Sequence, residues 1–141
     1  MTTVNLNELE LNEFIGKEDH KQHCKATFPL VGAHGSKEIA TVYFELDPGD
    51  NLGMHTDSAE ELLIILSGKA EATVGNCKSG AQQGTIVLIP KMVPHDVKNI
   101  GANTVKVLGV FGGANNIVAT FEKEMLPTES KVVNTALLFQ D

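Results

Sequence analysis

Two short segments of the chain concentrate the side chains able to do chemistry. In the first, GMHTDSAEELLIILSG at residues 53–68, His55, Asp57 and Glu61 precede a run of five apolar residues. In the second, GTIVLIPKMVPHDVKN at residues 84–99, an apolar run meets two prolines and then presents His95. Imidazole nitrogen and carboxylate oxygen are the donors that Zn, Fe, Mn, Co or Ni accept. Two histidines with one carboxylate can also form the face that leaves positions open on iron. A carboxylate that does not ligate becomes a candidate general base beside a metal-bound water, a role open to Asp57.

Side chains alternate faces along a strand, so His55 and Asp57 point the same way, and Glu61 keeps that parity if the chain runs on extended after a local bend. Glu60 falls on the opposite face and reads as a surface neighbour. Pro90 and Pro94 cannot donate to a central ladder, which places them at strand ends or at a bend that aims His95.

The elements that must position these groups are short Val/Ile/Thr/Phe-rich runs between about residues 24 and 121. Turn-forming DPGDN (47–51), SGK (67–69), GNCKSG (75–80) and NIGAN (99–103) punctuate them. Strands so closely spaced, with no helices between them, predict an antiparallel sandwich or barrel. Helical turns are expected only near the termini, within the first twenty or so residues and over FEKEMLPTES at 121–130. The expected organisation is an N-terminal extension over 1–23, a barrel over 24–121 and a C-terminal extension over 122–141 that packs on the barrel or on a second subunit.

The two segments resemble the paired motifs of the cupin superfamily, G-x5-H-x-H-x3,4-E-x6-G and G-x5-P-x-G-x2-H-x3-N. The first reads Gly49, His55, Asp57, Glu61, Gly68 and the second Gly84, Pro90, Met92, His95, Asn99, with every spacing kept. Asp57 stands where the family has its second histidine, and Met92 where it has a glycine. The resemblance implies an all-β, double-stranded β-helix (jelly-roll) barrel. It also implies one divalent transition metal (Fe, Mn, Zn, Ni or Co) held by His55, Asp57, Glu61 and His95 in the barrel mouth. Asp57 and Glu61 are the candidate catalytic carboxylates. The implied activity is that of a metal-dependent dioxygenase, isomerase or lyase acting on a small organic molecule; the alternative is a non-catalytic small-molecule or sugar-binding barrel. Aspartate at 57 gives the site charge −2 with neutral histidines, which leans toward harder ions over Cu.

Other residues read as structural. Asn99 and the motif glycines serve turns; Phe44, Phe111, Met54 and Met92 are core by default; His20, His23, Cys24 and His34 are expected in solvated segments. Cys24 and Cys77 read as free thiols. With 18 acidic against 11 basic residues and net charge −7, nucleic acid is excluded as a partner. The apolar runs fall far short of the roughly 20 residues that span a bilayer. An acidic N-terminus without an apolar core argues for the cytoplasm. The run LLIIL, apolar at five successive positions, predicts a strand covered on both faces, hence a homodimer.

Overall fold

The computed structural model describes residues 1–139, so residues 140 and 141 of the expected C-terminal extension lie outside the described residues. Twelve strands form a single antiparallel sheet rolled into a nearly closed barrel. They are β1 Asn12–Gly16, β2 His23–Thr27, β3 Ile39–Leu46, β4 His55–Asp57, β5 Glu61–Ser67, β6 Lys69–Val74, β7 Cys77–Gln82, β8 Ile86–Ile89, β9 His95–Asn99, β10 Val105–Gly112, β11 Val118–Leu126 and β12 Ser130–Asn134. The strand order is β7-β6-β9-β4-β11-β1-β2-β3-β10-β5-β8, with β12 added to β11. Helix is confined to 3-10 turns at Leu6–Glu8 and Gly32–His34 and to α1, Thr135–Leu138. Among the described residues no helix is long and apolar enough to cross a membrane.

Strand alternation builds the interior. Along β10 the residues Val105, Val107, Gly109 and Phe111 are buried, while the positions between them are only half-buried. Strand β5 shows the same pattern, with Glu61, Leu63 and Ile65 turned inward. Two apolar clusters result, one centred on Phe44, Leu46, Leu63 and Ile65, the other on Phe111, Ile117 and Phe121. Phe14, Val42 and Leu52 pack against both. N-terminal β1 pairs with β2 and β11, so residues 12–16 are an integral part of the sheet.

Two local expectations are overturned. FEKEMLPTES holds no helical turn: residues 121–126 are the end of β11, tied down by Glu122 N–H to the Met54 carbonyl (3.0 Å) and Lys17 N–H to the Glu124 carbonyl (3.0 Å). In GNCKSG only Gly75 and Asn76 form a turn, and Cys77 starts β7, an edge strand made by pairing with β6 rather than by its own propensity. LLIIL is covered on one face only within the chain. Leu62 is 42% exposed, its ladder partner Leu88 is 57% exposed, and Ile86, the partner of Ile64, is 62% exposed.

Candidate functional site

The interior-facing parity of β4 and β5 brings His55, Asp57 and Glu61 into the barrel, where all three are at most 5% exposed, and Glu60 is exposed as expected. His95 arrives from β9 as the direct ladder partner of His55, with the ring centroids 4.1 Å apart. Phe121 on β11, the other ladder neighbour of His55, stacks on that imidazole at 4.5 Å. All four groups are buried, with exposures of 5% or less.

Both imidazoles are oriented in the same way. His55 Nδ1 lies 2.7 Å from the Gly53 carbonyl and His95 Nδ1 2.9 Å from the Val93 carbonyl. A carbonyl can only accept, so each Nδ1 carries a proton and each ring, when neutral, turns an Nε2 lone pair inward, the arrangement that supports metal-bound histidine. Asp57 Oδ2 lies 3.0 Å from His95 Nε2 and 3.5 Å from His55 Nε2; Glu61 Oε1 is 3.5 Å from His95 Nε2. The candidate ligand atoms of His55, Asp57 and His95 all fall within 4.8 Å of one another, and Glu61 meets this trio through His95.

Despite their proximity, Asp57 Oδ2 and His95 Nε2 are not aligned for a hydrogen bond, and both are buried without a partner. Such orphaned buried atoms are costly unless something else satisfies them. Two imidazole nitrogens and two carboxylates therefore suit a divalent ion by donor type and by charge. The protein's own groups already perturb one another strongly. Burial pushes the Asp57 carboxyl up, but the imidazoles of His55 and His95 outweigh it and hold the group at about 2. Burial, with the Asp57 charge beside it, raises Glu61 above the usual carboxylate value against the opposing pull of His95. Burial disfavours charge on His95, yet Asp57 and Glu61 lift it to about 10.

Two residues that hold this arrangement, Asp96 and Gly109, carry no signal in the sequence, and two others, Met92 and Asn99, are positions of the second motif. Asp96 accepts from the Gly53 N–H (2.9 Å) and the Asn51 side-chain amide (2.9 Å), fixing the segment whose carbonyl orients His55. Gly109, inward-facing on β10, leaves the space that Glu61 fills: a Cβ there would collide with Glu61 Oε2 and come within 2.7 Å of Val42 Cγ1. Met92 takes φ 63 in the Pro90–Val93 turn and donates its N–H to the Asp57 carbonyl (2.9 Å), so the turn of the second motif is pinned to the strand of the first. Asn99 is 1% exposed and bonds the Leu46 carbonyl, the Asn103 carbonyl and the Gly101 N–H, a turn-holding role as the sequence reading had it.

The four polar groups lie at one side of a cavity of about 60 Å³ between the two apolar clusters. Phe44 and Phe111 line it, whereas Met92 is 55% exposed and no part of the core. Cys24 also lines it, its thiol pushed up to about 12 by burial, and Cys77 is an exposed free thiol. His23 is not solvated. Its ring is clamped between Glu13 and Asp50, each at 2.7 Å, with Asp47 at 4.0 Å, well apart from the interior group.

Residues 42–111 match the family model of the cupin domain. A comparison with curated protein sequences gives no match. Among solved structures, a protein from Acidithiobacillus ferrooxidans described as a sugar phosphate isomerase is similar, with TM-score 0.66 and 17% identity over 97% of this chain and 92% of that one. The polyketide cyclase of Streptomyces resistomycificus is similar with TM-score 0.65 and 18% identity over 100% of this chain and 87% of its own. Oxalate decarboxylase of Bacillus subtilis matches with TM-score 0.66 and 26% identity over 78% of this chain, which spans only 29% of the decarboxylase.

Proposed function

Because the chain belongs to the cupin family, we propose that it is a metal-dependent enzyme of the oxygenase, isomerase or lyase type. Its substrate is a small organic molecule held inside the barrel, next to one divalent transition metal on His55, Asp57, Glu61 and His95. The observation that carries this reading is the pair of inward Nε2 atoms, each fixed by an Nδ1–H to a backbone carbonyl, with the Asp57 carboxylate between them. A bound divalent ion supplies Lewis acidity and, where the metal is redox-active, electron transfer. The oxygen-rich donor set favours Fe, Mn, Zn, Ni or Co over Cu.

The chain's own residues have separable tasks. His55 and His95 present nitrogen from adjacent strands, and the short arm of Asp57 reaches both. Glu61, beside His95 rather than inside the trio, is placed to hold or pass a proton at Oε1. Phe121, stacked on His55, keeps water off the imidazole face.

Metal analysis of protein purified without chelator tests the reading. One ion per chain is expected, and the His55→Ala, His95→Ala double variant loses it. Full occupancy in that variant overturns the site. We also infer a homodimer through the outer face of β5 and β8, where Leu62, Ile86 and Leu88 leave an apolar patch on an edge strand. A monomeric mass at micromolar concentration, with no change on Leu88→Asp, refutes it.

A further inference from the structure

We propose that the interior cavity selects a small uncharged molecule with an apolar, ring-like face, and rejects carboxylates, phosphates and sugars. This deepens the proposed small-molecule site and rests on the ligand occupying that cavity. Five of the chain's six phenylalanines, Phe14, Phe28, Phe44, Phe111 and Phe121, line this one space. Of its 18 lining residues only His55, Asp57, Glu61 and His95 are polar, and all four lie in one cluster; the other 14 are apolar or, for Cys24, a neutral thiol.

The wall offers an anion nothing. All 11 basic residues are lysines, so the chain has no arginine fork for a carboxylate or phosphate, and no lysine lines the cavity. The two buried carboxylates repel an anion further. A sugar fares no better. Hydroxyls pointing away from the polar cluster would meet Val42, Leu52, Leu63, Ile117 or Met125, and each would be buried without a partner. Backbone donors are spent in the sheet ladders that form the wall. An aromatic or alicyclic ring, by contrast, finds flat and edge contacts with phenylalanine on several sides. At about 60 Å³ the cavity is smaller than the roughly 150 Å³ of an apolar cavity that takes up benzene, so the apolar end of a molecule fits as the structure stands and a whole ring enters as the surrounding side chains yield.

Three probes of similar size separate the classes: phenol, oxalate and glycerol. Each is titrated by ligand-observed NMR and calorimetry into chelator-treated protein and into protein loaded with Mn(II) or Zn(II). Phenol is expected to bind both forms at least tenfold more tightly than either of the others. Oxalate or glycerol binding the loaded protein as tightly as phenol overturns the proposal, and so does phenol binding neither form. Titration of the metal alone keeps the two readings apart. Phenol binding without metal binding leaves the ligand class standing and removes the metal site; metal binding without phenol binding does the reverse. Ala26→Phe, which fills the wall away from His55 and His95, should abolish phenol binding and leave metal binding unchanged. Should that variant fail to fold, the comparison of the three probes on the unaltered protein decides alone.

Discussion

Substituting Gly109 by alanine isolates the one backbone position that makes room for a site carboxylate. The strand conformation itself accepts alanine, and a glycine-to-alanine change in a strand would by itself stabilise by roughly 0.5–1 kcal/mol through the unfolded chain. Against this, the new methyl would overlap Glu61 Oε2 and sit 2.7 Å from Val42 Cγ1, in an interior with little slack. Overpacking of this kind costs about 1–3 kcal/mol, so the net expectation is a loss of about 1–2 kcal/mol. Chemical denaturation of chelator-treated protein measures it, and the same experiment in a Glu61→Ala background supplies the control. With the carboxylate gone, only the Val42 contact remains, and the penalty should fall by about 1 kcal/mol or more, a coupling energy typical of touching residues. Displacing Glu61 should also weaken metal binding about tenfold or more, read by calorimetry. A Gly109→Ala protein as stable as the parent, or a penalty identical in both backgrounds, would show that Gly109 does not exist to seat Glu61.

Met92→Gly relieves a side chain held at φ 63 and is expected to leave the protein as stable as before or more stable by up to about 1 kcal/mol in thermal or denaturant unfolding; a loss above that size refutes the strain argument. His23, whose pKa is raised from 6.5 chiefly by its bond to Glu13 and secondarily by Asp50, contributes stability that is complete below 6.5 and fades as pH rises through its elevated native value. The stability gap between the parent and His23→Gln should therefore narrow on going from pH 6 toward pH 9, and a gap that widens contradicts the clamp. Metal binding should release protons, because Asp57 and Glu61 hold the His95 proton to about 10 and a ligating nitrogen must give it up. Calorimetry in buffers of different ionisation enthalpy at pH 7.5 reads close to one proton per ion from this group, with affinity rising with pH, and release of none is the refuting result.

Sequence periodicity carried far at the site because the strands that hold it, β4, β5 and β9, obey the two-residue rule. His55, Asp57 and Glu61 share a face in the sequence, and that face is the interior. The meeting of His55 with His95 is a different matter. It depends on which strands become neighbours across forty residues, and only the motif spacing pointed to it. Gly109, Gly53 and Asp96 were invisible because their value lies in what they leave empty or bond across the barrel, not in their own pattern. Strand β7 was hidden for the opposite reason: Cys-Lys-Ser-Gly has no strand propensity, and β6 imposes the conformation on it. The doubly apolar LLIIL called for a cover on each face, but sequence cannot say whether the outer cover belongs to the same chain, and within this one the outer face is exposed.

Aspartate in place of the second motif histidine alters more than a donor atom. A neutral third imidazole would leave Glu61 the sole negative charge of the interior; Asp57 adds a second at 3.0 Å from His95 and 3.5 Å from His55. Burial of that extra charge is tolerable only with a cation nearby, and His95 can provide one by keeping its proton. On the proposed reading the site is a switchable ion pair, His95 proton or metal ion, with Asp57 as the shared partner of either. The surrounding wall of phenylalanines and aliphatic residues makes the choice stringent, since it offers neither occupant any other charge. The same wall that concentrates the electrostatics on one cluster is the basis of the proposed discrimination against charged and many-hydroxyl molecules. The proposed metal site and the proposed ligand class thus share one structural basis, a polar cluster confined to one side of an otherwise apolar interior.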